Sequence, residues 1–290
     1  MPGTSLGLMD IAARWSRTSA PTLWAALDAA TQTAERHLGG ETPSEWWVKM
    51  GHTAQVPLQV ASLRAQLDQH PELRTGTICE IGFNAGHSAV LWLEGTETRV
   101  ILFDLLGLPY SIASRRFVDT RYPGRTSFHV GDSKTTVRSY ADRVLNGTAR
   151  PCDLWSIDGD HGIHAKIDFL NALDASRDGT IVVADDAGLR FPFVRKFWRI
   201  HVGIGSIHER GCVITHAQGV EKTWCIGAVA PVASGRLVGA ALRTRFDTAL
   251  AMSREERNAA YFRSRRRGEA SRSLALRGVG NASALRDVRH

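Results

Sequence analysis

The sequence predicts an α/β fold with a mostly parallel sheet, on three observations. Short β-branched apolar runs recur through the middle of the chain, each followed by a stretch of helical period, and that alternation lays strands parallel with helices over them. Several of these runs end in an acid or a glycine turn, at the strand ends where open α/β sheets place their sites. Two longer segments, 206–216 and 221–230, joined through Gln218-Gly219, close the series as a hairpin.

Residues 22–38 and 53–69 come first, both of helical period, the second with Val56, Val60, Leu63 and Leu67 on one face. They are expected to cover one edge of the site. Between them Pro43–Gly51 is a loop with adjacent tryptophans, Trp46 and Trp47, suited either to touch a ligand, with Met50, or to pack the loop on the core.

The first strand, Thr77–Ile81, contains Glu80 and runs through Gly82-Phe83-Asn84-Ala85-Gly86 into a helix at His87–Leu93. Glycines at both ends of this turn let backbone approach a ligand, and the free N–H groups of the helix start favour an anionic or polar group. A dinucleotide loop would carry glycine at 84, where this chain has asparagine. An elbow that merely packs a helix on a strand is an equal account of the turn.

The second strand, Arg99–Asp104, ends in an acid 22 positions beyond Gly82. Asp104 is therefore placed either to accept hydrogen bonds from ribose hydroxyls or to cap a helix. The third, Thr126–Val130, leads to Asp132-Ser133, a pair equally suited to line an adenine edge and to cap the helix beginning near Lys134. The fourth ends in Asp158-Gly159-Asp160-His161 and the fifth in Asp185-Asp186. Any one of these acids alone is more readily a helix cap than a ligand. At adjacent strand ends their charges would repel strongly without a cation, which favours a shared metal.

On these residues the chain, over roughly 45–230, resembles the class I S-adenosylmethionine-dependent methyltransferases. Glu80-Ile81-Gly82-Phe83-Asn84-Ala85-Gly86 looks like their first motif, and Asp104 falls where their ribose-binding acid stands. The resemblance implies a Rossmann-like three-layer sandwich whose seven-stranded sheet ends in an antiparallel hairpin. It also implies cofactor contacts from Glu80, Gly82, Asn84, Gly86, Ser88, Asp104, Asp132, Ser133 and Asp158. The fourth and fifth strand ends resemble the divalent-metal-dependent O-methyltransferases. Those that methylate sugar hydroxyls of natural products are closest in pattern, and catechol and caffeoyl-type enzymes are more distant. By position, Asp158, Asp185 and Asp186 would hold magnesium, and His161 or Asp160 would be the general base. The chemistry agrees: a hard cation on carboxylates can orient a hydroxyl and lower its pKa for attack on a sulfonium methyl, while a nearby base takes the proton. His164 stands where related chains often carry tyrosine, and is expected to be a solvated helix residue rather than a site member.

With 290 residues, 43% of them hydrophobic, the chain can bury one full α/β core. The expected division is an N-terminal helical cap over 1–70, a methyltransferase core over 71–232 and a basic C-terminal helical or disordered tail over 233–290. No apolar stretch is long enough to span a membrane. Cys79, Cys152, Cys212 and Cys225 lack CxxC spacing and read as buried thiols in a reducing compartment, so a cytoplasmic location is expected. The first 20 residues hold Arg14, Arg17 and one acid, Asp10, a pattern shared by targeting peptides and ordinary helices, with the ordinary helix preferred.

Residues 251–290 hold ten arginines and four acids, +6 of the net +7. The core is thus nearly neutral, and the basic balance does not argue for a nucleic-acid-binding active site. Arg263-Ser264-Arg265-Arg266-Arg267 is suited to RNA, anionic lipid or an acidic partner but lacks an aromatic ladder. A solvated helix with a disordered end is the expectation. The expected partner is a small hydroxylated acceptor such as a sugar or phenol, with a homodimer left open and nucleic acid not expected. Two rival readings stand beside this one. One is a metal-independent class I methyltransferase, and the other a non-catalytic RNA- or membrane-associated protein acting through the arginine tail.

Overall fold

The computed structural model describes residues 20–37, 53–108, 110–217, 219–231 and 238–267. Trp46, Trp47, Met50, Arg14, Arg17, Asp10 and the chain beyond Arg267 lie outside the described residues. Two helices, α1 (Ala20–His37) and α2 (Pro57–Gln69), precede β1 (Thr77–Ile81) and α3 (His87–Leu93). Alternation continues through β2 (Arg99–Asp104), α4 (Ser111–Arg121), β3 (Thr126–Val130), α5 (Ser133–Leu145), β4 (Cys152–Ile157), α6 (Ala165–Asp174) and β5 (Ser176–Ala184). Then come α7 (Pro192–Gly203), the hairpin β6 (Ile207–Ala217) and β7 (Val220–Val229), α8 (Gly239–Ala251), and a last helix, α9, over 254–267. Proline at the first position of α2 and of α7 starts each helix where no N–H partner is needed.

The sheet has seven strands in the order β3-β2-β1-β4-β5-β7-β6. Strands β1 to β5 pair in parallel, and β7 lies antiparallel between β5 and β6. Strand order therefore reverses between β1 and β4, and a crevice opens there at their carboxyl ends. Alternating side chains feed two cores. Cys79, Ile81, Phe103, Trp155 and Ile157 pack with Phe169, Phe197, Trp198 and Phe246 on one face. Ile78, Val100, Leu102 and Leu154 pack with Leu27, Val60, Leu67, Trp92 and Trp224 on the other. Helices α5 to α8 cover the first face and α1 to α4 the second, which makes three layers.

Two expectations are corrected here. The cysteines are not free thiols: Cys79 bonds Cys152 and Cys212 bonds Cys225. Cys212 and Cys225 face each other directly across the hairpin, with Cα atoms 4.0 Å apart. The register of β4 against β5 shifts between Cys152 and Leu154, and Cys152 lies in the same core as Cys79. Sequence spacing did not reveal that Cys152 would join the face that carries Cys79. With the thiols gone, the argument for a reducing compartment goes too. Among the described residues no helix is long and apolar enough to cross a membrane.

The C-terminal segment also differs from a solvated appendage. Leu242, Phe246, Ala249 and Tyr261 are buried in the first core. The carboxylate of Glu209, whose side chain is 1% exposed, pairs with Arg265 at 3.1 Å. Burial of each large apolar side chain is worth about 1.5–3 kcal/mol, so α8 and α9 belong to the folded body.

Candidate active site

At the crevice, Asp158 N donates to the carbonyl of Ile81 at 2.9 Å, which brings the end of β4 against the end of β1. Gly82 has φ +92, and a Cβ there would lie 1.9 Å from the Asp158 carbonyl oxygen. Gly86, at φ +85, would place a Cβ 2.6 Å from the Phe83 ring. Both glycines are thus required by the chain's own packing, which is the elbow account of this turn. Among the described residues three non-glycines have left-handed backbones, Asn84 (φ 50), Leu106 (φ 49) and Asp186 (φ 52). They sit just past β1, β2 and β5, and such backbone is disfavoured by about 1–2 kcal/mol for an L-residue. Strain of this kind gathers where a site holds its groups in place.

These strand ends line a cavity of about 600 Å³, within the size range of small-molecule sites. Gly82, Asn84, Ser88, Asp104, Asp132, Ser133, Asp158, Asp160, His161, Asp185 and Asp186 all face it. Glu80 and Gly86 stand behind the lining. Glu80 is fully buried and accepts hydrogen bonds from Ser88 Oγ at 2.8 Å and Trp92 Nε1 at 3.1 Å. Burial pushes its pKa up to about 8 against the pull of those two donors. Its place fixes α3 and the Ser88 hydroxyl.

Asp104 accepts from the backbone N–H groups of Phe83 (2.7 Å), Asn84 (3.3 Å) and Leu106 (2.6 Å). A carboxylate offers about four lone-pair sites, so it clamps the glycine loop and retains acceptor capacity towards the cavity. Tyr110 Oη donates to Asn84 Oδ1 at 2.5 Å and orients that amide. Asp132 caps α5, its carboxylate accepting from Lys134 N at 2.9 Å, and it faces the cavity as well. The buried Asp168 accepts from Asp160 N at 3.3 Å and so holds the loop after β4.

The acids converge. Donor atoms of Asp158, His161 and Asp186 lie within 4.8 Å of one another. His161 Nε2 is 3.3 Å from both Asp158 Oδ1 and Asp186 Oδ2. Asp185 lies beside them and accepts from Gln59 Nε2 at 2.8 Å. Asp158 opens to the cavity with 42% of its side chain exposed, against 10% for Asp186. Burial, then mutual repulsion, raises the pKa of all three, that of Asp185 to about 6. For His161 burial acts against the charged form, but the Asp158 hydrogen bond and the surrounding carboxylate charges outweigh it and raise its pKa. The His161 ring also packs on Phe191, with centroids 4.3 Å apart. Three repelling carboxylates with one imidazole are a donor set fit for a hard divalent cation. Asp160 turns back on its own loop to accept from Gly162 N. His164 is exposed and lines the outer cavity.

Two site residues escaped sequence reading. Gln59 of α2 is buried on the stripe that carries Val56 and Val60, and a polar residue on an apolar stripe was the available signal. Lys222 of β7 stands with Nζ 4.0 Å from Asp186 Oδ1. It comes from the far end of the chain, and no local pattern marks it.

Sheet order, switch-point crevice and terminal hairpin together define the class I methyltransferase fold. Residues 79–187 match the methyltransferase domain family Methyltransf_24, and the chain is a methyltransferase enzyme carrying that domain. Among solved structures, the chain is similar to the O-methyltransferase TomG from Streptomyces achromogenes, involved in tomaymycin synthesis and solved with SAM. That match has 18% identity and a TM-score of 0.53, covering 71% of this chain and 89% of that one. An O-methyltransferase from Bacillus cereus in complex with SAH matches at 16% identity and TM-score 0.53, over 71% of this chain and 90% of the other. Cofactor-bound Rv0187 from MTB matches at 17% identity and TM-score 0.54, over 79% of this chain and 100% of the other. No curated relative matches the chain in sequence.

Proposed function

We propose that this enzyme transfers a methyl group from S-adenosylmethionine to a hydroxyl oxygen of a small acceptor, with a divalent cation, magnesium by its ligand chemistry. The observation that carries this reading is the convergence of Asp158, His161 and Asp186 within 4.8 Å in the cavity that Asp104 and the glycine loop also line. The SAM- and SAH-bound O-methyltransferases of the same fold support the choice of cofactor and of oxygen as nucleophile.

Asp158, Asp185 and Asp186 would hold the cation, which supplies charge to orient the acceptor hydroxyl and lower its pKa. Asp104, Asn84 and Ser88 would hold the cofactor along the ends of β1 and β2, with Asp132 and Ser133 towards the adenine side. The acceptor oxygen attacks the methyl carbon in line, the carbon–sulfur bond breaks, and the sulfonium becomes a thioether. His161 takes the acceptor's proton at Nε2, and Asp160 is the alternative base. Gln59 keeps Asp185 aimed at the cavity. A metal-independent enzyme is the second reading, favoured by Lys222, a cation of the chain itself that stands 4.0 Å from Asp186.

Calorimetry with S-adenosylmethionine and then magnesium, followed by methyl transfer to a panel of sugars and phenols with and without chelator, tests both readings. Cofactor binding with chelator-sensitive transfer is expected. Transfer that survives chelation would select the metal-independent enzyme, and failure to bind cofactor would overturn both.

A further inference from the structure

The arginine segment at 263–267 walls a second cavity, of about 340 Å³, together with α7 and α8. Its place is remote from the acids. Helix α7 leaves the site end of the sheet at Pro192 and packs back along it, so its last turn, which contributes Arg199, Ile200, Gly203 and Ile204, lies at the opposite end. We propose that this cavity binds a phosphate-bearing anion, a phosphomonoester or diphosphate group gripped by Arg199, Arg245, Arg257, Arg263 and Arg267.

Five guanidinium groups from three helices line one small space, and among the described lining residues there is no carboxylate. Two nearby acids have partners outside the cavity. Glu256 accepts from Ser253 N at 2.8 Å to cap α9, and Glu209, whose charge also reaches Arg199, is paired with Arg265 at 3.1 Å. Two of the arginines are already oriented. Arg199 donates to Asn258 Oδ1 at 3.2 Å and lies 4.8 Å over the Tyr261 ring, while Arg257 donates to the last carbonyls of α8, those of Leu250 and Met252. Apolar groups from Ile200, Ile204, Ala249, Met252 and Ala260 complete the lining and strengthen charge interactions there by excluding water. Arginine cannot shed its proton, so crowding of like charge is relieved by an anion, and phosphate matches the planar fork bidentately.

The concave shape and the lack of an aromatic among the lining residues argue for a compact phosphate group over a nucleic-acid track. This site is independent of the reading given to the acids.

The test is calorimetric titration of the full-length protein with inorganic pyrophosphate in magnesium-free buffer, at low and raised salt, for the parent and an Arg245→Gln/Arg263→Gln variant. Saturable binding that weakens with salt, and at least ~10-fold weaker binding in the variant, is expected. S-adenosylmethionine binding should be the same in both proteins, so loss of the phosphate site and failure of the transferase reading are separable. Should the double variant misfold, Arg263→Gln alone carries the same comparison. No saturable heat, or equal affinity in parent and variant, would overturn the proposal. So would binding confined to phosphatidylserine vesicles or an RNA oligonucleotide, with none to pyrophosphate.

Discussion

Two groups of carboxylates sit at different places in this protein and have been treated oppositely by the fold. Glu209 accepts from Trp198 Nε1 at 2.7 Å and from Tyr261 Oη at 3.0 and 3.1 Å, and pairs with Arg265. Its charge is met on several sides by the chain, and its effect is to latch the last helix. Asp158, Asp185 and Asp186 face one another, with His161, a lysine at 4.0 Å and one amide to offset three acids. Burial alone does not mark a candidate site acid, since Asp186 is buried as Glu209 is. What separates them is charge that the chain leaves incompletely answered, at the strand ends where a ligand can reach it.

The sharpest way to break this contrast is Asp186→Asn. Transfer activity is expected to fall by about 10³-fold or more, the scale of losing a main source of transition-state charge stabilisation. The metal-free thermal midpoint should hold or rise, because one repelling charge is gone. A drop in midpoint of the size expected for Glu209 variants would make the two groups alike. Glu209→Ala, the reciprocal change, should cost about 2–3 kcal/mol of unfolding free energy in denaturant titration, as a buried hydrogen-bonded charge is lost. Activity per folded molecule should be unchanged.

Proton linkage sharpens the comparison further. The folded Asp185 carboxyl, with a pKa of about 6, keeps its proton above the ordinary value of 3.8. Between those values the folded state binds more protons than the unfolded one, so metal-free stability should fall as pH rises through that window. With magnesium present the trend should reverse, since the cation binds only ionised carboxylates. Unfolding curves at a series of pH values, with metal and with chelator, would show it. The smallest effect is expected for Gln59→Ala, roughly a 10-fold loss of metal affinity through a misdirected Asp185, read by magnesium titration with the fold intact.

The strands, the helix after the glycine turn and the closing hairpin were legible because each rests on local periodicity: β2 at Arg99–Asp104 and α3 at His87–Leu93 fall where the pattern put them. So was the place of the candidate site acids, since they mark strand ends. Contacts made through space were not. Gln59 reaches Asp185 across 126 positions, and Lys222 arrives from the antiparallel edge. Glu80, whose place in a familiar motif suggested ligand contact, turns inward to Ser88 and Trp92 instead. The cysteine pairs depended on strand neighbours, β1 beside β4 in one case and the two arms of the hairpin in the other. Charge counting likewise did not mark Tyr261, the residue of α9 that is buried beside Glu209 while the rest of that helix stays exposed or half-buried.

The Tyr261–Glu209 latch has a bearing on how the protein is made. Synthesis runs from the N-terminus, and Trp198 and Glu209 emerge long before their partner at 261. Until α9 clears the ribosome, a nascent chain with β1 to β7 complete presents a carboxylate held by Trp198 but not yet by Tyr261, and an apolar seam that Tyr261 does not yet cover. Synthesis therefore has to pass residue 261 before this carboxylate gains its full set of partners, and a chain stalled after the hairpin is expected to be less stable than the complete fold.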